Sequence, residues 1–204
     1  MTDSNPWHSR LRTYLDETAA ARPTPGCGPA AATTIALGLA LVIKGLRIAR
    51  PQDLPASDER ALQAPQRLVR EAEGLLDRLQ VLAEADMQAF AQYLRARRAT
   101  DSPAIEDSVR QACAVPLATA HCGLEGLGIA LAAWPHTSAA LRSDTLAGGV
   151  LLHAGIEAAL INVEADMAEL DEPDEQAHAG NARDHARRQA DTALAQLRQL
   201  AASR

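Results

Sequence analysis

Apolar residues recur at intervals of three and four along most of this chain, which is the pattern of helices that bury one face. Helix-starting residues and prolines divide the pattern into segments. Six helices are predicted, over about residues 6–18, 29–49, 57–99, 102–133, 143–167 and 181–202. The second is apolar on nearly every face, so we expect it at the centre of a bundle.

Prolines and glycines mark the expected interruptions. The loop Arg22–Pro29 contains three prolines and two glycines, and residues 50–56 form a break before a cap at Ser57 or Asp58. Pro116 should kink the fourth helix because a proline cannot donate to the helical hydrogen bonds. Pro173 should stop the fifth helix. The last helix is charged, with Leu194, Leu197 and Leu200 on one side, so we expect it across the outside.

Composition supports the same fold class. The chain has 44 Ala but only five aromatic side chains among 204 residues, which favours helices and excludes an all-β fold. Its length suits one domain with its own core. The prediction is an all-α, single-domain bundle over residues 1–204, with long central helices.

Charge and hydropathy limit the possible partners. A net charge of −6 repels nucleic acid and anionic lipid headgroups. The longest uncharged apolar run, Pro29–Ile43, is shorter than the ~20 residues of a membrane span. No secretory signal precedes it. We therefore expect a cytoplasmic protein that binds neither nucleic acid nor a membrane.

Cysteine and histidine spacing predicts no metal site. The three cysteines lack C-x-x-C spacing, so we expect Cys27, Cys113 and Cys122 to be reduced thiols. His153 and Glu157 share a helix face, so they suit a proton-transfer pair, half of a metal site or a plain intrahelical contact. Two ligands fall short of the three or four that zinc takes.

Asp86 interrupts the apolar stripe of the third helix, which also carries Leu75, Leu79, Leu82 and Ala89. A carboxylate on a packed face loses hydration, so its pKa rises towards the range useful for proton transfer. The pattern indicates a general acid or base. It leaves open an acid that only borders solvent or caps a neighbouring helix.

The turn Thr24–Gly28 precedes the N-terminus of the second helix. Free N–H groups at such a terminus can bind a carboxylate or phosphate, although an ordinary helix-entry turn has the same composition. Asn162 lies on the fifth helix, where a buried amide would need partners. By itself it indicates little.

Four motifs follow one another along the chain. They are Pro23-Thr24-Pro25-Gly26-Cys27-Gly28-Pro29-Ala30-Ala31-Ala32, Ala85-Asp86-Met87-Gln88-Ala89-Phe90, Val115-Pro116-Leu117, and Ser143-Asp144 with Ala158-Ala159-Leu160-Ile161-Asn162-Val163. In order and spacing, over about residues 10–170, these motifs resemble the cyclodeaminase and methenyltetrahydrofolate cyclohydrolase family.

The resemblance implies an all-α homodimer that binds a tetrahydrofolate derivative as substrate and acts in one-carbon metabolism. One family reaction, a hydrolase reaction, adds water to the methenyl carbon that bridges two folate nitrogens. The other, a lyase reaction, closes that bridge from a formimino group with loss of ammonia. The implied catalytic residue is Asp86, and no metal is implied. The implied substrate-binding residues are Thr24, Pro25, Gly26, Cys27, Gly28, Asp144, His153, Glu157 and Asn162.

The chain departs from the family pattern at several places. Cys27 replaces a glycine, Pro29 replaces a serine, and Glu157 replaces an arginine of the fifth helix. The lysine-rich segment that usually follows the second helix is replaced by Arg47-Ile48-Ala49-Arg50-Pro51. An anionic folate tail would meet less positive potential here. The alternative is therefore a catalytically silent homologue that serves as a ligand-binding or protein-interaction dimer. A helical module without a pocket is a third possibility.

Overall fold

The structure is a computed structural model that describes residues 10–48 and 59–203, with side chains from residue 63 onward in the second range. Neither range contains a β-strand, which confirms the predicted all-α class. The predicted helix start at residue 6, the break at 50–56 and the caps at 57 and 58 lie outside the described residues. The described helices are α1 (Leu11–Thr18), α2 (Cys27–Ile48), α3 (Glu59–Ala99), α4 (Ser102–Ala133), α5 (Arg142–Met167) and α6 (Pro173–Ala202).

Helices α2 and α5 form the central pair, and small residues allow their backbones to meet. A β-carbon on Gly38 would lie 2.7 Å from the carbonyl oxygen of Gly148, closer than real β-carbons approach. A β-carbon on Gly155 would likewise lie 2.9 Å from the carbonyl oxygen of Ala31. Residue numbers fall along α5 as they rise along α2 at these two contacts, so the two helices are antiparallel. The N-terminus of α2 therefore lies beside the C-terminal half of α5.

The remaining long helices surround this pair. Helix α3 packs on α2 and α4, and α4 also contacts α5 and α6. The predicted stripe of α3 is confirmed, since Ala72, Leu75, Leu79 and Ala89 are all buried. Helix α4 begins after Asp101, whose carboxylate accepts a hydrogen bond from the Ala104 N–H at 3.3 Å.

Helix α4 contains Pro116 within its Ser102–Ala133 range, and the kink expected there stays a prediction. The predicted start of α6 was wrong, because this helix begins at Pro173 instead of residue 181. A proline suits the first turn of a helix, where its missing N–H has no partner to lose. Two short 3-10 turns, Trp134–His136 and Ala139–Leu141, end α4 as expected and lead into α5.

Helix α6 contributes more to the core than its charge suggests. Leu197 is fully buried against Gly149 of α5, where a β-carbon would lie 2.3 Å from the leucine Cδ2. Leu194 is also buried, whereas Leu200 is 42% exposed. The predicted leucine side of α6 is therefore a packing face, except at its last member.

Three helical segments are long and apolar enough to cross a membrane by length and composition alone: 27–48, 102–136 and 139–167. About half of each apolar window is buried inside the chain. The apolar residues of α2 and α5 that are not buried include Leu37, Val150 and Ile161, whose exposed fractions are 56%, 40% and 59%. We call the outer surface that carries these three residues the α2–α5 face. The expected absence of a membrane stays a prediction.

Candidate functional site

The fold places Asp86 of α3 directly against Gly28 in the first turn of α2. A β-carbon on residue 28 would lie 2.1 Å from both Cγ and Oδ1 of Asp86 and 2.3 Å from Oδ2. Glycine is therefore the residue that leaves room for the carboxylate. The glycine turn and the acid of the third helix, which lie 58 positions apart in the sequence, meet at one end of the bundle.

Partial burial sets the charge state of Asp86. The residue is half-buried, and loss of hydration raises the pKa of its carboxyl group to about 6. Within the part of the chain that the structure describes, no donor forms a hydrogen bond to this carboxylate. The group can therefore gain or lose a proton near neutral pH, and it has hydrogen-bonding capacity left for a ligand.

The turn before α2 is closely packed. Pro25 is buried after a cis peptide bond from Thr24, which is half-buried. Gly26 accepts a hydrogen bond from the Ala30 N–H at 3.3 Å. Among the described residues, the N–H groups of Cys27 and Gly28 have no backbone acceptor, as expected for a first helical turn. Gly28, which carries one of these two donors, lies against the Asp86 carboxylate.

Cys27 connects the turn to α5. Its thiol donates a hydrogen bond to the carbonyl oxygen of Ala158, with the sulfur 3.3 Å away. Burial raises the pKa of this thiol, and the charges of Asp86 and Asp166 raise it further. The thiol is therefore protonated at neutral pH, so it serves as a donor and not as a thiolate nucleophile.

Asp166 is a second acid at this end of the bundle, and the sequence analysis missed it. Burial raises its pKa to about 6, with further contributions from the charges of Asp86 and Glu169. Ala158, Asn162 and Asp166 lie four residues apart on α5, so they share one helix face. That face already meets Cys27 through Ala158. The repeat of four from the Ala158 motif would have identified Asp166 in the sequence.

A cavity of about 500 Å³ opens between α4 and α6 on the side of Asp166. Cys113, Leu117 and Leu170 form part of its apolar wall, and Arg110 and Glu175 pair across it at 3.0 Å. Burial raises the pKa of the Cys113 thiol, and the charge of Asp166 raises it further. The volume lies within the range of small-molecule pockets.

Three of the expected substrate-binding residues, Asp144, His153 and Glu157, lie away from the glycine turn in the fold. Asp144 pairs with Lys44, with 2.7 Å between its carboxylate oxygen and the lysine Nζ. Lys44 is sixteen residues from Gly28 along α2, which is about 24 Å at 1.5 Å per residue. The antiparallel pairing of α2 with α5 therefore separates Asp144 from the turn.

His153 and Glu157 face α6 instead of the glycine turn. His153 Nε2 lies 2.7 Å from Asp191 Oδ1, and Arg187 Nε donates to Glu157 at 3.1 Å. The pair thus makes contacts between helices, and not the intrahelical contact that the spacing favoured. Of the expected binding residues, the fold brings together residues 24–28 and, by helical register, Asn162. Their role in binding stays a prediction.

The fold and the site together define a class of protein: an all-α bundle in which a half-buried carboxylate lies against a glycine turn. The family model described as formiminotransferase-cyclodeaminase matches residues 10–185. The chain belongs to this family, which confirms the resemblance carried by the four motifs.

Two curated relatives show how the chain compares in length. It is 29% identical over 180 residues to formimidoyltransferase-cyclodeaminase of Sus scrofa, a match that covers 80% of this chain and 31% of that protein. The chain thus spans about a third of that relative. It is 26% identical over 171 residues to methenyltetrahydrofolate cyclohydrolase of Methylorubrum extorquens, covering 79% of this chain and 81% of that protein.

The fold also matches a solved structure. The crystal structure of formiminotetrahydrofolate cyclodeaminase from Thermotoga maritima superimposes with a TM-score of 0.87 over 95% of this chain and 96% of that one, at 20% identity. This likeness independently confirms the helical fold.

Proposed function

We propose that this protein is a folate-dependent cyclohydrolase or cyclodeaminase in which Asp86 moves the proton. The observation that carries the proposal is the Asp86 carboxylate, held half-buried against Gly28 with a pKa raised to about 6. Membership of a family whose relatives bear both activities in their names supports the substrate class.

For the hydrolase reaction, the substrate carbon is the methenyl carbon between two folate nitrogens. Water attacks this electron-poor carbon, and the ionised Asp86 accepts a proton from the attacking water. One carbon–nitrogen bond then breaks, and Asp86 returns that proton to the leaving nitrogen. The hydroxyl proton is released to solvent as the formyl group forms. A carboxyl with a pKa of about 6 can serve as both acceptor and donor.

For the lyase reaction, the same carboxylate would accept a proton from the attacking folate nitrogen instead of from water. The formimino group reacts in its protonated form. A folate nitrogen attacks the formimino carbon and loses its proton to Asp86, which leaves an NH2 group on that carbon. Asp86 then passes this proton to the NH2 group, which leaves as ammonia while the cationic methenyl bridge closes. Both reactions require one partly desolvated group that exchanges a proton with nitrogen or oxygen, and this geometry suits either.

The test is an absorbance assay with methenyltetrahydrofolate, together with an ammonia-release assay with formiminotetrahydrofolate. Asp86→Asn should lower the rate of the active reaction by about 10²- to 10⁴-fold, the usual contribution of a general base. Asp77→Asn, on the exposed side of the same helix, should leave it unchanged. A wild-type rate equal to buffer with both substrates would overturn the proposal. Folate binding without turnover would favour the catalytically silent homologue.

We further propose that two copies of the chain associate through the α2–α5 face. Leu37, Val150 and Ile161 are exposed there, on the two helices that form the centre of the chain. Burying such a patch against a second copy would remove apolar area from water. Light scattering should give twice the chain mass, and Leu37→Asp should halve it. Leu200→Asp on α6 is the matched control. A monomeric wild type would refute this association.

A further inference from the structure

We propose that His153, Glu157 and Asp191 form a site for one divalent transition-metal ion, with Zn²⁺ as the reference ligand. The site joins α5 to α6, whereas the Cys27 contact joins α5 to α2. It does not depend on the proposed reaction. The sequence offered only the first two residues, and the fold supplies the third from a neighbouring helix.

The geometry brings one ligand atom of each residue to a common point. The three atoms all lie within 4.8 Å of one another, and His153 Nε2 and Asp191 Oδ1 are 2.7 Å apart. Ligand atoms ~2.1 Å from a tetrahedral Zn²⁺ lie about 3.4 Å from each other. The 2.7 Å separation of His153 Nε2 and Asp191 Oδ1 is shorter than this value, so these two side chains would move apart slightly to bind the ion.

The donor set selects the class of ion. One imidazole nitrogen and two carboxylate oxygens are ligands for zinc and neighbouring transition metals, whereas Mg²⁺ and Ca²⁺ prefer oxygen alone. Three protein ligands leave one position for water or another small ligand. His153 and Glu157 are largely shielded, with 21% and 33% of their side chains exposed, while Asp191 is 62% exposed. An ion can therefore enter from the Asp191 side.

Arg187 lowers the net negative charge of the cluster. Its Nε donates to the two carboxylate oxygens of Glu157 at 3.1 and 3.3 Å, so it balances the charge of that carboxylate. A carboxylate has about four lone-pair positions on its two oxygens, so Glu157 can bind a metal and keep a hydrogen bond to Arg187. Arg187 then acts as the outer partner that orients a metal ligand.

Isothermal titration of the full-length chain with ZnCl₂ tests the site directly. We expect saturation at one ion per chain, and a rise in melting temperature because the ion binds only the folded helix pair. His153→Gln and Asp191→Asn should each weaken binding at least tenfold. His121→Gln, an exposed histidine of α4, is the matched control and should change affinity less than twofold.

Cobalt gives a second measurement that does not rely on heat. Co²⁺ bound to this donor set should show visible absorption bands that disappear in His153→Gln, while circular dichroism confirms an unchanged helix content. Two results would overturn the site: no saturable binding of either ion to the wild type, or equal affinity in the wild type and His153→Gln. Neither result bears on folate turnover.

Discussion

Asp86 on α3 and Asp166 on α5 lie close enough that the charge of the first raises the pKa of the second. Each has a carboxyl pKa of about 6, against an ordinary value of 3.8, and loss of hydration is the largest cause for both. Two partly buried acids from different helices therefore lie within electrostatic range of each other, and Asp86 also lies against Gly28 of the glycine turn. Their shared titration determines how the protein should respond to pH.

Ionisation of Asp86 and of Asp166 should each lower the free energy of unfolding as the pH rises. A raised pKa means that the folded chain holds the proton more tightly than the unfolded chain, so the free energy of unfolding falls between about pH 4 and pH 6. Above that window the full cost of two desolvated charges is present. Asp86→Asn and Asp166→Asn should each raise the melting temperature above about pH 7 and change it little near pH 4.

Thermal unfolding followed by circular dichroism across this pH range is the measurement. Asp77→Asn on the exposed side of α3 is the control for removing a charge of the same sign. An equal rise in melting temperature at both ends of the range would contradict the burial of these acids.

Activity should respond to pH in the opposite direction. If Asp86 accepts a proton from water, only the ionised enzyme is competent, so kcat/KM for methenyltetrahydrofolate should fall about tenfold per pH unit below its pKa of about 6. A pH–rate profile of the wild type tests this. A profile that stays flat down to about pH 5 would remove Asp86 from the role of base.

Gly28→Ala should separate activity from stability. The new β-carbon would overlap the Asp86 carboxyl group, which lies at the end of a side chain and can rotate away. We expect kcat/KM to fall at least tenfold while the melting temperature drops by only a few degrees. Gly128→Ala, with nothing within 4 Å of the added carbon, is the control. Full activity in Gly28→Ala would mean that the position of Asp86 is unimportant.

Gly38→Ala should instead destabilise the central helix pair. Its β-carbon would meet the backbone oxygen of Gly148 at 2.7 Å, and backbone cannot rotate away. We expect a loss of about 1–3 kcal/mol in the free energy of unfolding, the usual cost of overpacking. Gly74→Ala meets nothing within 4 Å and should stabilise its helix by up to about 1 kcal/mol. Urea denaturation compares the two, and a neutral Gly38→Ala would refute the close contact.

Asp144→Asn tests a residue that the resemblance placed in the binding site. Its pairing with Lys44, far from Gly28 along α2, predicts an unchanged KM and a stability change below about 1 kcal/mol. Steady-state kinetics with either folate substrate provides the comparison. A severalfold rise in KM would show that Asp144 reaches the substrate after all.

The contrast between Asp86 and Asp144 shows how far the sequence could locate the site. Asp86 was identified because it breaks an apolar stripe, a local signal that follows from helical periodicity. Asp144 shared a motif with the family, but a motif does not give the distance between two helices. Asp166 was missed because its own segment shows only a polar residue near a helix end, and its spacing of four from Asn162 was the one signal that placed it on the same helix face.

The sequence by itself determined the helical class, the core stripes, the glycine turn and the acid in the apolar stripe of α3, because each depends on spacing within one segment or on four motifs in order. Only the tertiary structure decided that α2 and α5 run antiparallel. The packing of α6 on α5 brings Asp191 to His153. The antiparallel arrangement of α2 and α5 brings Cys27 to Ala158 and separates Asp144 from Gly28. The physical reason is the close approach of backbones at Gly38 and Gly148, since it fixes the relative register of two helices whose sequences do not encode each other's positions.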